Sequence, residues 1–181
     1  AGRLWQNWRI VASGYAAVWA RDNTREAIFD AMKRREVYAT TGSRISVRFF
    51  GGWSYEADDI RHANYLDKAY SLGVPMGGDL TAGPTEKAPN FIVAATKDPD
   101  GANLDRIQII KGWLDAKGGS HEKVYDVAWS KHRKIDAETG RLELVGNTVD
   151  SEAATFDNSI GATQLATVWQ DPDFNPNTRA F

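Results

Sequence analysis

The sequence predicts an α+β chain that is mainly β, with a strand–helix–strand piece at its N-terminus and an antiparallel, sandwich-like β region after it. Three observations predict this. Only one stretch, 24–35, has a well-capped helical period. Five later stretches are short and rich in β-branched, aromatic or alternating apolar residues. Turn clusters separate them: Asp98-Pro99-Asp100-Gly101, Gly118-Gly119 and Glu138-Thr139-Gly140.

Each element has its own reason. Tyr15 to Ala20 is a short apolar run that ends at the polar turn Arg21-Asp22-Asn23-Thr24. Asn23 or Thr24 can cap a helix, and Glu26 stands where a capping box needs it, three residues after Asn23. Ile28, Ala31 and Met32 fall on one helical face, and Lys33, Arg34 and Arg35 crowd the last turn, where cations suit the helix dipole. Val37 to Thr41 is β-branched and aromatic, and Gly42 ends it. Strand, helix and strand in this order read as a parallel βαβ crossover. Ile45, Val47 and Phe49 then alternate with Arg44, Ser46 and Arg48, as in a half-buried strand.

Residues 51–89 form an irregular Gly- and Pro-rich connection, in which Asp58 to Leu72 is long enough to hide a short helix. Residues 90–181 carry the β region. Phe91 to Ala95 is apolar on both faces, as a central strand requires. Leu104 to Trp113, Val124 to Trp129, the pair Leu142 and Leu144, and Leu165 to Trp169 supply further strands. The implied organisation is 1–50, 51–89 and 90–181.

The 181 residues include 42% hydrophobic side chains, enough for a sizeable core, and 22 basic residues against 24 acidic. That balance leaves no electrostatic footprint for nucleic acid or an anionic membrane surface. No apolar run approaches the roughly 18–20 residues that span a bilayer. Ala1 to Ile10 is aromatic and basic without the apolar segment of a signal peptide. Cysteine is absent, which excludes disulfides and thiolate metal sites but leaves the compartment open, an exported or periplasmic location included. The chain is expected to be a fragment of a larger protein, because it has neither an initiator Met nor a visible closing element.

Candidate chemistry is sparse. His62, His121 and His132 form no H-x-H, H-x-x-x-H or H-x-x-E-H pair, and each lies in a polar stretch of the kind that stays on the surface. Asp98, Asp100, Asn103 and Asp105 place oxygen ligands at spacings that resemble part of a calcium loop, although the bidentate Glu at the twelfth position is missing. A hairpin turn accounts for the same residues. Gly73 to Leu80 is Gly-rich without the ending of a phosphate loop, so close backbone packing is the expected use of its glycines. Trp53 and Trp113 lie near loops, where an aromatic ring either stacks on a sugar or packs against the protein.

Several strings together resemble a bacterial family designated domain of unknown function 3604. They are Ser13 to Ala20, Asn23 to Phe29, Arg35 to Gly42, Gly73 to Leu80, Lys97 to Ile107 and Gly146 to Asp150. Tyr38-Ala-Thr-Thr-Gly42 also looks like the last strand of metallohydrolases of the polymerase-and-histidinol-phosphatase (PHP) superfamily. The resemblance implies a parent protein with a distorted (β/α) barrel holding two or three divalent metals. None of the superfamily's ligand motifs matches here, so the metals' ligands are expected upstream and this chain is expected to be inert alone. Residues 1–50 would close the barrel.

In that setting Thr41, Gly42 and Arg44 would lie near the mouth of the site, where Arg44 could meet an anionic substrate group. Arg44 equally suits the polar face of its own strand. The implied function is the C-terminal portion of a metal-dependent hydrolase acting on a phosphoester or other ester-like bond. The expected partner is the rest of the parent polypeptide, with self-association as a substitute. The alternative is a non-catalytic β-sandwich binding or docking module stabilised by calcium.

Overall fold

The computed structural model describes residues 14–81, 83 and 87–181, so the aromatic and basic stretch Ala1 to Ile10 lies outside the described residues. The chain is mainly β, with antiparallel sheets and few helices. Strand β1 (Tyr15–Val18) leads to helix α1 (Arg25–Lys33) and strand β2 (Val37–Thr40). Thr24, and not Asn23, is the N-cap. Its hydroxyl accepts from the Ala27 amide at 3.2 Å.

The expected parallel crossover is corrected: β1 and β2 pair antiparallel, with Val18 opposite Val37 and Tyr15 opposite Thr40. The reason lies in the connection. The six residues 19–24 and the nine-residue helix bring the chain back to the end of β1 that it left, since Val37 at the start of β2 lies opposite Val18 at the end of β1. The Trp19 amide then donates to the Glu36 carbonyl at 3.0 Å, which closes the ladder at the end where it opened.

The main sheet has the order β10-β5-β3-β4, all antiparallel, from β3 (Ser46–Gly52), β4 (Gly73–Pro75), β5 (Asn90–Thr96) and β10 (Gln164–Gln170). Its strands come from all three segments distinguished in the sequence. β5 is interior, between β10 and β3, as its apolar run predicts. The stretch after β3 holds the expected short helix, α2 (Tyr65–Leu72), preceded by a 3-10 turn at Asp59–Arg61.

The core lies between α2 and one face of the sheet, where Phe50, Tyr55, Ala69 and Ile92 are buried and Val168, Ile60 and Leu66 pack around them. Each large apolar side chain buried here contributes about 1.5–3 kcal/mol. The Tyr55 hydroxyl donates to the Ala69 carbonyl at 2.6 Å. Burial, then the nearby Asp59 charge, pushes its pKa up to about 12. On the opposite face Phe49 stacks on Phe91 at 5.5 Å, Phe91 meets Trp169 at 5.8 Å, and Trp169 meets Tyr125 at 5.0 Å.

Tyr125 belongs to a hairpin of β6 (Arg106–Leu114) and β7 (Ser120–Trp129). A two-residue pair, β8 (Val149–Asp150) with β9 (Thr155–Phe156), completes the strands. Leu142 enters a single bridge with Ile135 and Leu144 is exposed, so the strand expected around them is corrected to an irregular segment. No helix among the described residues is long and apolar enough to cross a membrane.

Candidate functional site

The corner between β2 and β3 and the loop between β5 and β6 come together. Gly42 has φ of 130°, a conformation that excludes most side chains. It turns the chain so that the Arg44 amide donates to Asp98 Oδ2 at 2.5 Å. The Arg44 guanidinium lies 3.6 Å from Asp98 and 3.3 Å from Asp100. Asp98 is buried. The Arg44 and Asp100 amides, and behind them the Arg44 charge, hold its carboxyl below the usual carboxylate range. Arg44 is therefore bound to the acidic loop, and Thr41 is exposed beside it.

The four oxygen-bearing residues of that loop go to three different sets of partners. Asp98 and Asp100 face Arg44. Asn103 donates to the carbonyls of Asn158 and Ile160 at 2.9 and 2.8 Å. Asp105 meets Arg106 at 2.9 Å and Arg133 at 2.7 Å. Among the described residues no group of three or more His, Cys, Asp or Glu stands together as a metal cluster would.

A second cluster joins the N-terminal pair to the main sheet. Glu36 is buried and receives the Tyr70 hydroxyl, with Arg34 at 3.4 Å and Arg48 at 3.6 Å. The Arg48 guanidinium also lies 3.3 Å from the centre of the Trp19 ring, and Trp19 Nε1 donates to the Val47 carbonyl at 2.8 Å. Burial, then the Glu36 hydrogen bond, raises the Tyr70 phenol. Beside this joint lies an open cleft of about 210 Å³, walled by Trp19, Arg48 and Tyr65 over Ser46 and Thr96. Sequence reading missed Glu36, Arg48 and Tyr70. The available signal was an acidic residue between a helix's basic last turn and a strand.

His62 and His132 are exposed. His121 lies 2.9 Å from Asp115 at the hairpin tip and stacks on Trp113 at 5.5 Å. Trp53 donates to the Thr81 carbonyl at 3.1 Å and meets Phe174 edge-on at 5.9 Å, so both tryptophans have partners within the protein. In the Gly-rich stretch, Gly77 has φ of 79° and packs against the Arg35 backbone, the close approach expected of it.

The hairpin is fastened to the C-terminal segment by charge. Lys111 reaches Asp171 at 2.6 Å, while Lys123 and the Tyr125 hydroxyl both reach Asp173 Oδ2 at 2.5 Å. Lys123 first, then Tyr125, holds Asp173 below its usual pKa. Burial, then Asp173, raises the Tyr125 phenol far above its own.

Asp59, Asp98, Asp115, Asp136 and Asp157 are likewise depressed. A depressed folded-state pKa stabilises the fold above the unfolded value, about 3.9, and that contribution is lost as pH falls through the folded value. The melting temperature should therefore fall steeply below about pH 4, and less steeply for Asp173→Asn. Circular dichroism melts from pH 6 to pH 2.5 would show it. A wild-type melting temperature unchanged across that range would contradict the assignment.

Fold and sites together define a mainly β, antiparallel protein whose polar clusters fasten loops and layers to one another. The chain belongs to the family described as "Protein of unknown function (DUF3604)", which it matches over residues 2–181. No curated protein and no solved structure matches it.

Proposed function

We propose that this chain is the non-catalytic β portion of a metal-dependent hydrolase acting on a phosphoester or other ester-like bond, and that its N-terminal layer docks on the catalytic body. The observation that carries the docking is the apolar surface of that layer. Phe29 is 64% exposed, Met32 52%, Tyr15 59% and Val37 38%. Exposed large apolar groups gathered on one small layer mark an interaction surface. The polar joint at Glu36 and Arg48 holds this layer against the main sheet, so the surface is presented in a fixed orientation.

The hydrolase assignment rests on the resemblance to PHP-superfamily enzymes. The divalent metals would generate hydroxide and polarise the bond, with ligands supplied by the rest of the parent polypeptide. Assay of phosphoesters and carboxylic esters with Mn²⁺, Zn²⁺ or Mg²⁺ tests it. The parent should turn over and lose activity on chelation, while the isolated chain should do neither. Metal-dependent turnover by the isolated chain, lost on substituting His62, His121 or His132, would overturn it.

A further inference from the structure

Lys97 follows the last residue of β5, and its amide continues the sheet by donating to the Thr163 carbonyl at 3.0 Å. Its side chain then folds forward over the turn that comes next. Nζ donates to the carbonyls of Asp98 and Pro99, both at 2.9 Å, and of Gly101 at 2.8 Å. An ammonium has three N–H donors, and here three backbone oxygens converge on it. We infer that Lys97 is the resident cation of this loop: the turn is a carbonyl cage for a singly charged ion, and the chain carries that ion on its own side chain.

Two observations separate this cage from the calcium site that the spacing of Asp98, Asp100, Asn103 and Asp105 suggests, since calcium takes about six to eight oxygens, several of them carboxylate. The oxygens on Nζ are all neutral carbonyls. The one buried carboxylate of the loop, Asp98, is taken by the Arg44 and Asp100 amides.

Three carbonyls aimed at one point repel one another unless a positive charge lies between them. Without the Lys97 ammonium the turn keeps the Gly101 amide on the Asp98 carbonyl and the Asp100 amide on Asp98 Oδ1, but the repulsion is no longer screened and the turn should loosen. Asp98 would lose the position from which it holds Arg44, and the corner at 41–44 would loosen with it. Lys97 is thus a positioning residue for that corner.

Two measurements on the full chain test the inference. In the wild type, the Lys97 ammonium should give a slowly exchanging ¹⁵N resonance coupled to protected protons. In Lys97→Ala the melting temperature should fall by about 5 °C. Propylammonium or potassium should restore at least half of the loss, while N-methylglucamine at equal ionic strength should not.

Lys97→Met, which keeps an apolar stem, serves if the alanine variant does not fold, and potassium should raise its melting temperature in the same way. The inference is overturned if the ammonium protons exchange freely. It is also overturned if every salt acts alike, or if calcium raises the wild-type melting temperature and Asp100→Ala abolishes the rise.

Discussion

Arg133→Met should cost about 3 kcal/mol, lowering the melting temperature by roughly 6–12 °C. The Arg133 side chain is 7% exposed. It donates to the carbonyls of Ser130, Glu143 and Asp105 at 3.0, 2.9 and 2.8 Å, to the Ser130 hydroxyl at 3.1 Å, and pairs with Asp105 at 2.7 Å. It is a single pin through three separate turns of chain. Long stretches of 130–163 lack regular strands, so few other bonds can replace it.

Methionine fills most of the volume but supplies no donors. The variant leaves the Ser130 and Glu143 carbonyls without a donor, while the Asp105 carbonyl keeps the Ser130 amide and its carboxylate keeps Arg106; an unmet buried polar group costs about 1–3 kcal/mol. Asp105 keeps its second pair with Arg106, which keeps the expected loss near the lower end of the range for broken buried pairs. Lysine should rescue little, because its one ammonium cannot reach three carbonyls in a fixed fork. A thermal melt of both variants checks the expectation, and a loss under 1 °C in Arg133→Met would refute it.

Nothing in the sequence around Arg133 marked it. It stands among Lys131, His132 and Lys134 in a run that reads as a solvated basic loop, and the three neighbours are exposed. Its role depends on carbonyls distant in sequence, which no local pattern reveals. Lys97 was also hidden, although its signal was local: a long amine one residue before a tight Asp-Pro-Asp-Gly turn. The oxygen spacing of that turn reads as calcium ligands, and the ammonium beside them carries no motif of its own.

Features set by neighbouring residues were legible. The helix start at 23–24, the burial of Ala31, the interior place of β5 and the hairpin strands follow from side-chain period and turn chemistry, whereas the cap is Thr24 and not the Asn23 of a capping box, and Met32 on the expected inner face is exposed. The direction of β2 was not legible, because a strand–helix–strand pattern is common to parallel and antiparallel returns. The two-sided burial of β5 was legible because Phe91, Val93 and Ala95 take one face while Ile92 and Ala94 take the other.

The proposed docking of the N-terminal layer on a catalytic body is open to a direct measurement. Phe29→Asp combined with Met32→Asp tests it most directly, measured side by side in the isolated chain and in the parent protein. Both side chains are more than half exposed in the chain, so the pair should change its melting temperature little, with each substitution worth about 0.5 kcal/mol or less. In the parent the same carboxylates would be forced into an apolar contact, where an unpaired charge is costly. At least a tenfold loss of kcat/KM is expected there, about 1.4 kcal/mol, together with slowed hydrogen exchange of α1 in the unsubstituted parent relative to the chain. Unchanged kinetics in the doubly substituted parent, with α1 exchanging equally fast in both forms, would contradict it.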